Sequence, residues 1–116
     1  MSNSNQPTDQ PKRKQKLRNK PKRKRLPLYH VVLWNDDEHT YDYVIRMMKD
    51  LFGHQQETGF LIASAVDHSG KAIVFTTHLE LAEMKRDQIH AYGIDDLMNG
   101  KCSGSMQATI EKAETE

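Results

Sequence analysis

The sequence predicts a small α+β domain in which a three-stranded antiparallel sheet packs on three helices, in the order β-α-α-β-α-β. Residues 28–34 are apolar and rich in β-branched side chains, as in a strand covered on parts of both faces. Apolar residues then recur at helical spacing up to Phe52, and residues 106–111 alternate apolar and polar side chains as a last strand. About ninety residues suit one layer of strands with helices on one face.

The elements follow in order from local signals. The first strand is expected at the centre of the sheet, and the first helix ends where Gly53 can adopt a left-handed conformation. A second helix is predicted over residues 55–66 and a second strand over residues 71–77. Residues 77–80, Thr-His-Leu-Glu, form a capping box that opens a third helix ending near Tyr92. The side chains expected in the core from the first two helices are Met47, Met48, Phe60, Ala63, Ala65 and Val66.

A basic N-terminal segment precedes this domain. All four prolines lie within residues 1–27, none of the eight aromatic residues does, and ten basic residues fall between Lys12 and Arg25. Such a segment buries too little apolar surface to offset its ordering entropy, so residues 1–27 are predicted to be a disordered extension and residues 28–116 the folded core. Residues 26–116 hold seven basic and fifteen acidic residues, a net charge of −8. Any contact with nucleic acid is therefore expected only through the extension.

Composition also narrows the class of protein. Cys102 is the single cysteine, which excludes an internal disulfide and indicates a reducing compartment. No apolar stretch is long enough to span a membrane, and the basic N-terminus lacks the apolar segment of a secretory signal. A cytoplasmic protein without membrane contact is the expectation.

An acidic corner follows the first strand. The apolar run stops at Asn35, Asp36 and Asp37, which place one amide and two carboxylates in a turn before a helix. One interpretation is a helix N-cap with an Asx turn; the other is a site that holds a small cation or an amine.

Histidines and carboxylates elsewhere in the chain are the other candidates for chemistry. His30, His54, His78 and His90 stand alone and are expected on the surface, whereas His39 and His68 lie beside carboxylates. A metal-dependent enzyme would need such a set, built on Asp36, Asp37, Asp67 and His68. No ligand spacing and no nucleophile accompany it, so the sequence predicts no catalytic residue, no metal and no cofactor.

Four separated motifs in order carry a resemblance to a known family: VVLWNDD, SAVDHSGKAIVFT, LAEMK and ATIEKA. Over about residues 28–113 the chain resembles ClpS-type adaptors. The resemblance implies a non-enzymatic, monomeric adaptor that captures proteins by a bulky hydrophobic N-terminal residue. It also implies delivery to an AAA+ unfoldase of the ClpA or ClpC type, paired with the protease ClpP.

The resemblance also implies roles for individual residues. Asn35 and Asp37 would accept hydrogen bonds from the α-amino group and first peptide of the substrate, with Asp36 shaping the turn. The pocket for the first side chain would be lined by His39, Tyr41, Val44, Ala63, Val66 and Met106. Glu80 and Lys85 match positions that face the unfoldase.

Four positions depart from the family pattern and bear on specificity. Asp67 stands where a histidine commonly helps to hold the α-amine, Ala63 and Tyr41 each replace a methionine, and His39-Thr40 replaces a Thr-Pro pair. A second hypothesis comes from another class: a nucleic-acid or ribosome-associated protein that uses the basic extension as its arm. Binding of the acidic core to N-terminal residues, and not to RNA, would separate the two.

Overall fold

The computed structural model describes residues 26–95 and 104–114. The predicted extension, apart from Leu26 and Pro27, lies outside these residues, as does Cys102. The six elements are β1 (Tyr29–Trp34), α1 (Tyr41–Phe52), α2 (Gln56–Ser69), β2 (Lys71–Thr77), α3 (Leu79–His90) and β3 (Ala108–Lys112).

The sheet has the strand order β2-β1-β3, with both pairings antiparallel. The predicted fold class is confirmed, as is the central place of β1, whose Val31, Val32 and Leu33 are all buried. The pairing of β1 with β2 shifts register between Val31 and Val32, an irregularity of the kind a β-bulge produces. Because β1 ends at the centre of the sheet, the acidic corner that follows it is held between the two outer strands.

Three helices cover one face of the sheet. Helix α1 begins after Thr40, whose hydroxyl accepts from the backbone N–H of Tyr43 at 3.1 Å, and it ends at Gly53 with the predicted left-handed conformation, φ 73°. Met47 and Met48 are fully buried, as predicted. Gly70, φ 91°, turns the chain from α2 into β2. None of the helices within the described ranges combines the length and the hydropathy that crossing a bilayer requires.

Two predictions about the helices are wrong. Phe60 does not face the core and is 50% exposed. The buried stripe of α2 is formed by Gly59, Ile62, Ala63 and Val66. Phe60 follows Gly59 by one residue, about 100° around the helix, and so leaves that stripe.

The capping box of α3 also does not form. Thr77 pairs with Tyr29 in the sheet, so its backbone is part of β2, and His78 becomes the N-cap without a side-chain hydrogen bond. Three of the four histidines expected on the surface have structural contacts, and the first is His30, whose Nδ1 lies 2.7 Å from the hydroxyl oxygen of Thr76. His54 Nε2 lies 2.9 Å from the carbonyl oxygen of Val74, and His90 Nε2 lies 3.1 Å from the backbone nitrogen of Ala108.

Candidate functional site

The acidic corner is anchored on both sides by hydrogen bonds. The backbone N–H of Asn35 donates to the carbonyl of Gly70 at 2.9 Å, which fixes the end of β1 against the end of α2. The Asp36 carboxylate accepts from the backbone N–H of Glu38 at 2.9 Å, an Asx turn. The Asp36 side chain therefore stabilises the turn by a hydrogen bond within it, whereas Asn35 and Asp37 are exposed to solvent.

His39 connects the corner to the segment before β3. Its side chain is only 2% exposed, with Nδ1 2.8 Å from Asp36 Oδ1 and Nε2 2.7 Å from the carbonyl oxygen of Gly104. Its ring lies 4.6 Å from that of Tyr43. Both ring nitrogens thus lie within hydrogen-bond distance of oxygen atoms, one in the corner and one in the segment before β3. His39 is thus a buried structural contact as well as part of a pocket wall.

A small cavity lies between the corner, α1, α2 and the residues before β3. Its volume is about 60 Å³, room for about two water molecules at the roughly 30 Å³ that each occupies in the liquid. It is therefore too small for a cofactor. Nine of the ten residues singled out in the sequence for a substrate N-terminus line it, together with Thr40: Asn35, Asp36, His39, Tyr41, Val44, Ala63, Val66, Asp67 and Met106. Asp37 does not line the cavity in this conformation.

The cavity is apolar at its base and acidic at its mouth. Val44, Ala63, Val66 and Met106 are each at most 4% exposed. Within the described part of the chain, the lining contains Asp36 and Asp67 but no lysine or arginine. Such a wall favours a ligand with an apolar group at one end and a positive charge at the other.

Tyr41 and Asp67 meet across this mouth. Tyr41 is the first residue of α1 and Asp67 lies in the last turn of α2, and the Tyr41 hydroxyl donates to Asp67 Oδ2 at 2.9 Å. This hydrogen bond to Asp67, together with desolvation and the Asp67 charge, raises the pKa of Tyr41 above its ordinary value of 10.0. The Tyr41 ring also packs on Phe60, with ring centroids 5.6 Å apart.

Sequence reasoning missed the residues that hold the start of α1. The buried carboxylate of Asp95, 1% exposed, accepts from the backbone N–H of Thr40 at 2.6 Å. Nearby, the Tyr43 hydroxyl donates to the carbonyl of Gly93 at 2.6 Å. Thr40 before the helix was a readable N-cap signal, but nothing in the local sequence indicated that Asp95 would reach it.

The two residues matched to an unfoldase contact differ in their surroundings. Glu80 is exposed in the first turn of α3, beside a shallow depression formed with Leu26, Tyr29 and Leu79. The Lys85 ammonium donates to the carbonyl of Leu51 at 2.5 Å and lies 5.3 Å from the centre of the Phe52 ring. Lys85 is therefore also bound to the end of α1.

Histidine, cysteine and carboxylate side chains do not form a metal centre in the part of the chain that the structure describes. No three His, Cys, Asp or Glu side chains among residues 26–95 and 104–114 are arranged to hold a metal ion. His68, one of the histidines beside carboxylates, has Nδ1 2.8 Å from the carbonyl oxygen of Ser64, within its own helix.

Comparisons with known proteins agree with this fold. Residues 24–96, more than half of the chain, match the family described as ATP-dependent Clp protease adaptor protein ClpS. The Clp protease adapter ClpS of Roseobacter denitrificans is 34% identical over 95 residues, which cover 82% of this chain and 79% of that protein. The corresponding protein of Nautilia profundicola is 38% identical over 63 residues, 54% of this chain and 65% of that protein.

A solved structure shares the architecture. The structure of Agrobacterium tumefaciens ClpS2 bound to L-phenylalaninamide has a TM-score of 0.64 and 26% sequence identity, covering 77% of this chain and all of that chain. The resemblance read from the sequence motifs is confirmed, and the modest identities agree with a divergent member. These proteins are adaptors rather than enzymes, so the metal-dependent enzyme is set aside and the nucleic-acid hypothesis gains no support. The chain belongs to the ClpS family of Clp protease adaptors.

Proposed function

We propose that this adaptor captures proteins that begin with a bulky hydrophobic residue and delivers them to an AAA+ unfoldase for degradation. One observation supports this above the others: a small cavity with an apolar base has Asn35 and Asp67 in its lining, and the exposed Asp37 lies next to Asp36 in the same turn. A free N-terminus presents the matching chemistry, since its α-amine has a pKa of about 7.7–8.0 and is mostly cationic at neutral pH.

In this proposal each part of the site has one role. The amide of Asn35 and the carboxylates of Asp37 and Asp67 accept from the α-amine and first peptide, while Asp36 shapes the turn. His39, Tyr41, Val44, Ala63, Val66 and Met106 surround the first side chain. The ligand named for the Agrobacterium structure, L-phenylalaninamide, has a free α-amine and a bulky apolar side chain, which is the combination that this site would accept.

The expected affinity is moderate. Burying one large apolar side chain contributes ~1.5–3 kcal/mol, and each charge-assisted hydrogen bond contributes ~1.5–3 kcal/mol. Three or four such terms, reduced by the entropy of association, give a dissociation constant in the micromolar range, near −8 kcal/mol. That affinity suits an adaptor, which has to release its cargo.

Delivery involves other surfaces. Glu80 and Lys85 on α3 would contact an unfoldase of the ClpA or ClpC type that works with ClpP, and the adaptor would act as a monomer. Residues 1–27 would serve as the N-terminal extension that the unfoldase engages, with residues 28–116 as the binding core. The cytoplasm is the proposed compartment, in keeping with a single cysteine.

Fluorescence polarisation with peptides that differ only in their first residue tests the capture step. Peptides that begin with Phe or Leu should bind the full chain with micromolar affinity, whereas Asp or Gly at the first position should abolish binding. Asp37→Asn should weaken the binding of Phe peptides about tenfold, because one charge-assisted hydrogen bond becomes neutral. Asp42→Asn is the matched control, since Asp42 is an exposed carboxylate that does not line the cavity.

Degradation of a fluorescent reporter with an N-terminal Leu, by unfoldase and ClpP, tests the delivery step. The adaptor should accelerate it, and a Glu80→Ala variant should bind the peptide normally but deliver poorly. Equal affinity for all first residues would contradict capture, and unchanged degradation with a peptide-binding adaptor would contradict delivery.

A further inference from the structure

The Tyr41 and Asp67 side chains join the two halves of the proposed site. Tyr41 lies at the start of α1 and Asp67 near the end of α2, 26 positions apart in sequence, and their hydrogen bond of 2.9 Å crosses the mouth of the cavity. Both residues line the cavity. One side chain forms part of the apolar wall, and the other is a carboxylate at the place where an α-amine would enter.

We propose that Tyr41 is a positioning residue whose hydroxyl orients the Asp67 carboxylate toward the α-amine of the substrate. Binding of the amine then depends on Tyr41, which also lines the pocket for the first side chain. This inference rests on the proposed function, because the ligand is the N-terminus of a substrate protein. It adds a coupling between two residues, both of which depart from the pattern of the family.

The chemistry of the carboxylate makes the coupling workable. A carboxylate offers two oxygens and about four acceptor positions, so Asp67 can accept from Tyr41 through Oδ2 and from an ammonium through Oδ1. Asp67 is exposed, and an exposed side chain without a partner would exchange between rotamers. The hydroxyl selects one orientation before the ligand arrives, which lowers the entropy lost on binding.

Two further observations support a fixed Tyr41. Its ring packs on Phe60, with ring centroids 5.6 Å apart, and this contact restricts the position of the ring. The pKa of Tyr41 is raised, first by its hydrogen bond to Asp67, so the hydroxyl remains a donor throughout the physiological pH range.

A double-mutant cycle tests the coupling in the full chain. The variants are Tyr41→Phe, which removes only the hydroxyl, Asp67→Asn, and the two together, titrated with a peptide that begins with Phe. Tyr41→Phe should weaken binding about two- to tenfold, the effect of one hydrogen bond. The same substitution made in Asp67→Asn should have a clearly smaller effect, since the carboxylate that it orients is already gone.

Tyr92→Phe provides the matched control. The Tyr92 hydroxyl donates to Asp50 at 2.5 Å, a second tyrosine–aspartate pair that does not line the cavity, so this variant should bind the peptide as the natural protein does. If Tyr92→Phe lost as much peptide affinity as Tyr41→Phe, the effect of either hydroxyl on binding would come from the stability of the domain and not from the orientation of Asp67. Natural affinity in Tyr41→Phe, or the same fold-loss with and without Asp67→Asn, would overturn the proposal.

A separate measurement keeps this test independent of the proposed function. The ionisation of the Tyr41 phenol can be followed by ultraviolet absorbance as the difference between a protein and its Tyr41→Phe variant. The phenol should ionise at a lower pH in Asp67→Asn than in the natural protein, because the bond and charge that raise its pKa are removed. If no peptide binds but this shift appears, the proposed function fails while the pairing stands. An unchanged phenol would overturn the pairing, whatever the peptides do.

Discussion

Replacing Asp95 by Ala should destabilise the domain and loosen the wall of the site. The Asp95 carboxylate is 1% exposed and accepts from the backbone N–H of Thr40, the N-cap of α1, at 2.6 Å. Removing this acceptor leaves a part-buried backbone donor unpaired, which costs about 1–3 kcal/mol. We therefore expect the free energy of unfolding to fall by about 2 kcal/mol or more in Asp95→Ala. Asp95→Asn keeps an acceptor oxygen and should lose less.

Urea unfolding followed by far-ultraviolet circular dichroism measures this loss. With a slope of ~1–2 kcal/mol per molar urea for a domain of this size, 2 kcal/mol lowers the midpoint by about 1–2 M. Asp87→Ala is the matched control, because Asp87 is an exposed carboxylate whose partner is the neighbouring Arg86 at 3.1 Å. Such a surface pair contributes only about 0–1 kcal/mol. If the two alanine variants unfold at the same urea concentration, the reasoning about the buried carboxylate is refuted.

Three further predictions concern the pocket, the extension and the surface. Ala63 is buried in the cavity wall and leaves space that a longer side chain would fill. Ala63→Met should therefore lower the affinity for peptides that begin with Ile or Val more than the affinity for peptides that begin with Leu, as measured by fluorescence polarisation. Deleting residues 1–25 should leave the affinity for Phe peptides unchanged and abolish delivery in the reporter assay, because these residues precede β1 and the entire cavity. Burial, and then the hydrogen bond to Asp50, raises the pKa of Tyr92, so the folded state holds this proton more tightly. The stability gained is complete below about pH 10 and is lost as pH rises through the raised pKa, so urea midpoints should fall less steeply above pH 10 in Tyr92→Phe.

The strands and the acidic corner could be predicted because their signals are local. The apolar run of β1, the helical spacing before Gly53 and the alternation in β3 each lie within about ten residues, and Asn35 marks the change from strand to turn without any knowledge of contacts. The pocket residues came from the resemblance and not from the pattern itself. The structure places nine of those ten positions around one cavity.

Contacts between segments that are distant in the chain could not be predicted from the sequence. Asp95 caps the approach to α1 from 55 positions away, and its neighbours carry no periodic signal. The bond between Tyr41 and Asp67 depends on how α1 and α2 pack, although each residue was singled out separately. The size and apolar character of Phe60 favour burial, yet the small Gly59 occupies the inner position and Phe60 packs on Tyr41 instead.

Nuclear magnetic resonance of the isotope-labelled full chain, titrated with L-phenylalaninamide, tests the central claim most directly. Backbone amide shifts should concentrate in residues 35–44, 63–67 and 104–106, the segments around the cavity. N-acetyl-phenylalaninamide, which lacks the positive charge, should leave these amides unchanged, and the effect of the free amine should weaken above about pH 8 as the amine loses its proton. Equal shifts from the acetylated compound, or shifts confined to other surfaces, would contradict an N-terminal binding site at this corner.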